Sequence, residues 1–261
     1  MFDYEDATTN EVMNANIATL SDDRNKSLII GAGEIGASLY KILKKSYTVI
    51  LRDKDDININ NVEYLHICYP YSKTFIKDTI RYQKQYLPHY TIIHSTVPVE
   101  TSEKCKAIHS PIIGQHPKLA ESLTVFQKFL GPNNKTVQNY FQKAGISIIP
   151  VESSRTTEAL KLWLTAQYGW DIVLEKEMYK WCLKNHLDFN IIYHKAIEVY
   201  NKGYSQLGLK NVIRPNFQHK DGEIGGHCVI PNCTLLKSKI TKIIQNFNQG
   251  YKIPNRNSKT V

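Results

Sequence analysis

A short apolar run, Leu28-Ile29-Ile30, passes directly into Gly31-Ala32-Gly33-Glu34-Ile35-Gly36, and Ser38-Leu39-Tyr40-Lys41-Ile42-Leu43 continues at helical spacing. A second strand-like run follows at Tyr47-Thr48-Val49-Ile50-Leu51. Strand, glycine turn, helix and strand in this order make a βαβ unit, which commits the chain to a parallel sheet covered by helices.

A GxGxxG spacing alone serves many turns, but here it joins a strand to a helix, and Asp53 ends the next strand near the expected offset of about 20 residues. That context predicts a dinucleotide site. Gly31 permits the tight turn, Gly33 lets the backbone approach a pyrophosphate, and Gly36 lets the helix pack closely on the strand. The helix N-terminus, with Glu34 and Ile35 in its first turn, stabilises phosphate charge. Asp53 accepts from ribose hydroxyls and favours NAD, whereas Arg52 beside it could pair with a 2′-phosphate or stack on adenine. Tyr69 and Pro70, which follow a later strand candidate, join the expected cofactor-binding set, to which the resemblance described below adds Thr96. The alternatives are FAD and a purely structural turn.

Further strand candidates at 64–68, 91–94, 107–109 and 146–149 alternate with helical stretches near 72–87, 99–105 and 134–144. The stretch 54–61 is too short for the helix and strand that a full Rossmann half places there, so the expected domain is trimmed. After Pro150 the strand signal stops. A long helix is predicted over 156–186, then helices over 191–207 and 232–247, with the glycine-rich segment Asp221 to Cys228 before the last. The expected fold class is α/β: a trimmed Rossmann-type parallel sheet followed by a mainly helical domain with one long central helix. In domain terms, 1–25 is a polar tail, 26–150 the NAD-binding domain, 151–250 a helical substrate and dimerisation domain, and 251–261 a C-terminal tail.

Composition narrows the partners. With 42% hydrophobic and 22% charged residues, and no apolar run near the roughly 20 residues of a membrane helix, the chain reads as soluble, without a membrane partner. The acidic start MFDYEDATTN lacks the regions of a secretory signal, which suggests a cytoplasmic protein. Five cysteines with no CxxC pair argue against a disulfide framework, and no histidine spacing suggests a metal. The net charge of +9 is spread over scattered lysines, which favours an anionic small molecule or a dinucleotide phosphate over nucleic acid.

Gly225-Gly226-His227-Cys228-Val229-Ile230-Pro231-Asn232 resembles the UDP-glucose/GDP-mannose dehydrogenase family, particularly its UDP-N-acetylmannosamine dehydrogenase branch. Ser95-Thr96-Val97-Pro98, Ser110-Pro111 and Glu158-Ala159-Leu160-Lys161 are similar to other segments of that family, in matching order across roughly residues 27–245. The resemblance implies an NAD-dependent oxidoreductase acting on a hydroxyl or carbonyl centre. It makes Cys228 the nucleophile, in a glycine-rich turn before a helix, and Lys161 an acid/base or oxyanion-stabilising group. Thr96 falls near the nicotinamide, Asn232 joins the catalytic set, and Thr165, His116, Gly226 and His227 face the substrate. The long helix pairs across a two-fold in the family, which implies a homodimer.

Three departures accompany these matches. Ile112 replaces a glutamate, Thr165 an asparagine and Asn232 an aspartate, so polar groups of the family's hydrolytic step are changed. Family members also continue into a third, nucleotide-sugar-binding domain beyond the length of this chain, which points to a smaller or differently held substrate. His109 and His116 are candidates for the missing acid/base function. Two further readings are a non-catalytic dinucleotide-binding module and a two-electron dehydrogenase of the β-hydroxyacid or 6-phosphogluconate type. In the blandest reading Cys228 is an inert thiol and Lys161 a solvated surface residue. Trp163, Trp170 and Trp181 are expected in the core or a dimer interface, and Cys68, Cys105, Cys182 and Cys233 are expected to be structural.

Overall fold

A computed structural model describes residues 26–54, 57–114, 117–226 and 228–252; the expected N-terminal tail, most of the C-terminal one, His116 and His227 lie outside them. The first strand, β1 (Lys26–Ile30), is buried at Ser27, Leu28, Ile29 and Ile30, as a parallel strand covered on both faces must be. The glycine turn leads into α1 (Glu34–Leu43), and β2 (Thr48–Arg52) returns parallel to β1. No helix or strand is found among the described residues between β2 and β3 (Tyr64–Ile67), so the trimmed crossover brings β3 directly to the other side of β1. α2 (Phe75–Tyr86), β4 (Tyr90–Ile93), the single turn α3 (Thr101–Lys104) and β5 (Ile108–His109) complete an all-parallel sheet in the order β2-β1-β3-β4-β5.

Side-chain alternation along β1 divides the core in two. Ile29 packs with Leu39, Ile42 and Leu43 of α1 on one face, while Leu28 and Ile30 pack with Phe75 and Tyr86 of α2 on the other. Each of these fully buried aliphatic side chains stabilises the fold by about 1.5–3 kcal/mol relative to exposure.

Beyond β5 the chain departs from the expected strand pattern. The strand expected at 146–149 does not join the main sheet: as β7 (Ile148–Pro150) it pairs in parallel with β6 (Lys128–Leu130), which had no strand signal. Lys128 interrupts the apolar alternation there, yet it is 3% exposed because its ammonium donates to the carbonyls of Ser110 and Pro111. α4 (Leu119–Val125) likewise has no counterpart among the expected helices, whereas α5 (Lys135–Lys143), capped by Asn134 accepting from Val137 N at 3.0 Å, falls where expected.

The described chain forms two compact units that divide between Glu158 and Ala159, not at the expected 150. The cause is the start of the 31-residue α6 (Ser154–Lys184). Thr157 Oγ1 lies 2.9 Å from His109 Nδ1, and the Glu158 carboxylate accepts from Glu100 N and Ser102 N at 2.7 Å each. The first turn of α6 is thereby part of the first unit.

In the second unit, the helix expected over 191–207 starts as a π-helical stretch, Asn190–Lys195, before α7 (Ala196–Gln206). The single helix expected over 232–247 is two, α8 (Val229–Leu235) and α9 (Lys239–Gly250). Pro231 fits the first turn of α8, where its missing N–H costs nothing, and Ser238 restarts the chain with a capping box to Thr241. Trp163, Trp170 and Trp181 are 48%, 37% and 56% exposed, so they are not core residues of this chain. No helix among the described residues is long and apolar enough to cross a membrane.

A chain of polar groups crosses the interior of the first unit. Ser27 Oγ lies 2.8 Å from Tyr140 Oη, which is 3.1 Å from His66 Nε2; His66 Nδ1 lies 2.9 Å from His94 Nε2, and His94 Nδ1 reaches the Ser110 carbonyl at 2.9 Å. Burial, reinforced by the Lys128 charge, pushes His66 down to about 3 and lowers His94 well below its ordinary value. Both stay neutral in the folded protein at pH values where the unfolded chain takes up protons. Their stabilising contribution is complete above the unfolded value near 6.5 and is lost as pH falls from there toward 3. Urea denaturation at pH 7 and pH 5 should show a loss of about 1.4 kcal/mol per pH unit for each histidine that stays neutral, reduced in His66→Gln; equal midpoints at the two pH values in the native chain would exclude it.

Candidate functional site

The carboxyl ends of the parallel strands gather most of the expected cofactor residues on one edge. At Gly31 (φ +100°), an added Cβ would lie 2.9 Å from Tyr69 N and 3.0 Å from the Cys68 carbonyl carbon, so only glycine lets the turn after β1 sit against the turn after β3. Gly36 is tighter still, with a Cβ position 1.8 Å from the Gly31 carbonyl oxygen; this is the seat of α1 on the strand. Gly33 differs: a Cβ there would meet nothing within 4 Å, and its exposed backbone opens the first turn of α1, with Glu34 exposed and Ile35 half-buried beside it. This division of roles is that of a turn whose middle glycine leaves room for something approaching from outside.

Other strand ends close around it. Gly31 N donates to the Arg52 carbonyl at 2.8 Å, and Ala32 N to Asp53 Oδ1 at 3.4 Å, which holds the exposed Asp53 carboxylate beside the loop. Ser95 Oγ donates to the Tyr69 carbonyl at 2.6 Å, tying the turn after β4, with its half-buried Thr96, to the turn after β3, with Tyr69 and exposed Pro70. The Tyr69 hydroxyl is engaged with Thr79 at 2.7 Å, leaving mainly its backbone and ring edge at this site. β1 and β3 flank the position where strand order reverses, the place where open parallel sheets bind ligands.

Two residues do not take the roles anticipated for them. Arg52 is 5% exposed and its guanidinium lies over the rings of Tyr82 and Tyr86, 5.0 and 6.0 Å from their centroids, so it is directed into the unit and not toward a ribose phosphate or adenine. His109 is wholly buried, with Nδ1 at Thr157 and Nε2 3.2 Å from the Ser95 carbonyl, which is a structural arrangement and not that of a general base. Ile112, where the resembled family has a glutamate, is 3% exposed in an apolar cluster with Leu119, Leu123 and Leu130.

The second unit holds the reactive candidates. Cys228 precedes α8 directly and is the exposed one of five free cysteines; Cys68, Cys105, Cys182 and Cys233 are buried. Lys161, half-buried on α6, has its pKa lowered by burial, with the nearby Cys228 charge acting in the opposite sense. The fold therefore brings an exposed thiol and a desolvated amine into electrostatic reach, though 67 positions of sequence numbering separate Lys161 from Cys228. Thr165 directs its hydroxyl to the Lys161 carbonyl at 3.0 Å, so it turns back onto its own helix. Asn232 is half-buried in α8, with its N–H donating to the Cys228 carbonyl at 3.1 Å, and Gly226 is exposed with φ +81°. Gly169 seats this corner: a Cβ there would come 2.5 Å from Val229 Cγ1. No group of three or more potential metal ligands occurs among the described residues.

Several organising residues gave no signal in the sequence. Glu158 stands out in the sequence only as part of the segment that ends at Lys161, although its carboxylate closes the amide end of α3. Ser95 lay inside a recognised segment without a role of its own. Glu175, Lys176, His219 and Asn248, which fix the segment before Cys228, are separated too widely along the chain to be associated before the fold is known.

Comparison with protein-family models and with curated proteins gave no match. Solved structures do share the fold. The UDP-D-ManNAc dehydrogenase of Pyrococcus horikoshii is similar at 15% identity and a TM-score of 0.67, over 86% of this chain and 68% of that one. The UDP-N-acetyl-mannosamine dehydrogenase of Staphylococcus aureus has 17% identity and a TM-score of 0.61, over 87% of this chain and 68% of that one. The 3-hydroxyisobutyrate dehydrogenase of Mycobacterium tuberculosis has 11% identity and a TM-score of 0.58, over 87% and 93%. By architecture, the chain has the α/β fold of dehydrogenases, UDP-sugar dehydrogenases among them.

Proposed function

We propose that this protein is an NAD-dependent oxidoreductase of the sugar-nucleotide dehydrogenase type, acting at a hydroxyl or carbonyl centre of a small polar, sugar-derived substrate. The observation that carries the reading is the glycine turn at the strand-order reversal, where Gly31 and Gly36 have no room for a side chain and Gly33 opens onto free space. Such a turn offers backbone N–H groups and the positive end of α1 to a pyrophosphate, and Asp53 beside it suits ribose hydroxyls. Arg52, the arginine beside Asp53, is committed to Tyr82 and Tyr86 and not to a 2′-phosphate, which favours NAD over NADP.

The bound nicotinamide supplies the hydride acceptor or donor. Lys161, whose ammonium burial makes easier to deprotonate, is suited to hold and move a proton at the substrate oxygen. Cys228 supplies an accessible sulfur at the same corner, and Asn232 stands one helical turn after it on α8. Homodimerisation through α6 belongs to the same reading, with the exposed Trp163, Trp170 and Trp181 offering apolar area.

A specific observation favours a second reading. Ile112 is a core residue and Thr165 bonds to its own helix, so two of the polar groups associated with hydrolytic completion are absent, which suits a two-electron dehydrogenase. Counting NADH formed per substrate consumed separates the two: two equivalents with loss in Cys228→Ala support the four-electron course, and one equivalent with turnover kept in Cys228→Ser supports the shorter one. In both, Lys161→Met should lower kcat by about 10²-fold or more.

The cofactor is tested separately by fluorescence titration with NADH and NADPH. Gly33→Val should leave stability within about 0.5 kcal/mol of native yet weaken NADH binding at least about tenfold, because its side chain enters the space left for the pyrophosphate. Gly36→Ala should instead cost about 1–3 kcal/mol or more of stability through the clash with the Gly31 carbonyl. Native protein that titrates with neither nucleotide would sink the proposal.

A further inference from the structure

The chain between the short 3₁₀ turn Lys210–Val212 and α8 has no helix or strand among its described residues, yet it delivers Cys228. Without a backbone ladder, such a segment is held only by specific side-chain contacts. α6 provides most of them. His219 Nδ1 donates to Glu175 Oε1 at 2.7 Å, and the imidazole stacks on Tyr179 with ring centroids 3.5 Å apart. Glu175 and Tyr179 stand four residues apart on one helix face, so they grip the same ring. Asp221 Oδ1 lies 3.4 Å from His219 Nε2, and Lys176 Nζ donates to the carbonyls of Lys220 and Gly222. At the far end, Asn248 of α9 accepts from Ile224 N at 2.6 Å.

The Glu175 side chain is 3% exposed, which is costly for a carboxylate. A buried carboxylate–imidazole hydrogen bond adds little net stability compared with apolar packing, so its benefit lies in selecting one conformation. The conformation it selects here is that of the loop ending in the exposed thiol. α6 also carries Lys161, and Gly169, between the two, seats Val229 next to Cys228. One helix thus sets both the amine and the anchor of the segment bearing the thiol.

We infer that Glu175 and His219 are a positioning pair that holds the segment delivering Cys228 against α6, the helix that carries Lys161. The inference rests on the proposed function for its assignment of a reactive role to Cys228. The test is alkylation of the full chain by iodoacetamide, followed at the Cys228 peptide by mass spectrometry well below the unfolding temperature. His219→Ala should slow Cys228 alkylation at least about fivefold, because the segment no longer holds the thiol at its place beside α6. His219→Asn, which keeps a donor near the Nδ1 position, should restore it to within about twofold. If His219→Ala does not fold, Glu175→Gln makes the same comparison with volume preserved. An unchanged or faster rate, with or without a lowered melting temperature, overturns the inference. The assay needs neither cofactor nor substrate. Slowed alkylation in a protein without turnover would sustain the pair and sink the enzymatic reading, and turnover with unchanged alkylation would do the reverse.

Discussion

The close approach of the Gly31 turn to the Cys68–Tyr69 backbone is the constraint on which the first unit's site depends. A side chain at Gly31 would meet that backbone at 2.9 Å, and one at Gly36 would meet the Gly31 carbonyl at 1.8 Å. Because α1 can therefore lie against β1, its first turn reaches the edge where β1 and β3 part. Ser95 extends the same arrangement to β4 by donating to Tyr69, and Asp53 extends it to β2 by accepting from Ala32. Four strand ends are fixed relative to one another by one carbonyl seat and a few short hydrogen bonds, before any ligand is considered.

Much of this was legible because it is local. The strand-turn-helix order, the three glycines and Asp53 lie within one βαβ unit, and their spacing carries their geometry. α6 was legible for the same reason: a long stretch without proline and with Gly169 alone has few other options. Legibility failed where buried polar groups substitute for apolar ones. Lys128 reads as a solvated residue until the Ser110 and Pro111 carbonyls are seen to receive it, and so β6 was missed. Arg52 reads as a phosphate ligand until Tyr82 and Tyr86 are placed beneath it. The break between α8 and α9 depends on Ser238 and Thr241 capping each other, a local signal that the surrounding helical spacing concealed.

The buried polar chain through His66, His94 and Tyr140 carries a related lesson. An apolar sheet face would be cheaper to bury, since each histidine must give up its solvation and remain neutral. In exchange, every ring nitrogen in the chain has a defined partner, and the last link ends on the Ser110 carbonyl, which Lys128 also holds. The segment after β5 is thereby anchored to the middle of the sheet by hydrogen bonds with fixed directions. Apolar contacts could have supplied comparable stability without fixing the backbone there.

The second unit solves the same problem with a different element. Its thiol lies at the end of a segment without regular structure, so position must be imported from α6, whose residues at 161, 169 and 175–179 supply the amine, the seat for α8 and the grip on His219. In the first unit glycine removes atoms to let backbones meet; in the second a buried carboxylate adds a directional partner to hold a loop. A relative could keep the fold while altering either device independently, because the two share no residue. Thr165, bonded to its own helix, takes no part in the Glu175–His219 grip, and so side chains beside Lys161 can change while the segment bearing the thiol keeps its anchor.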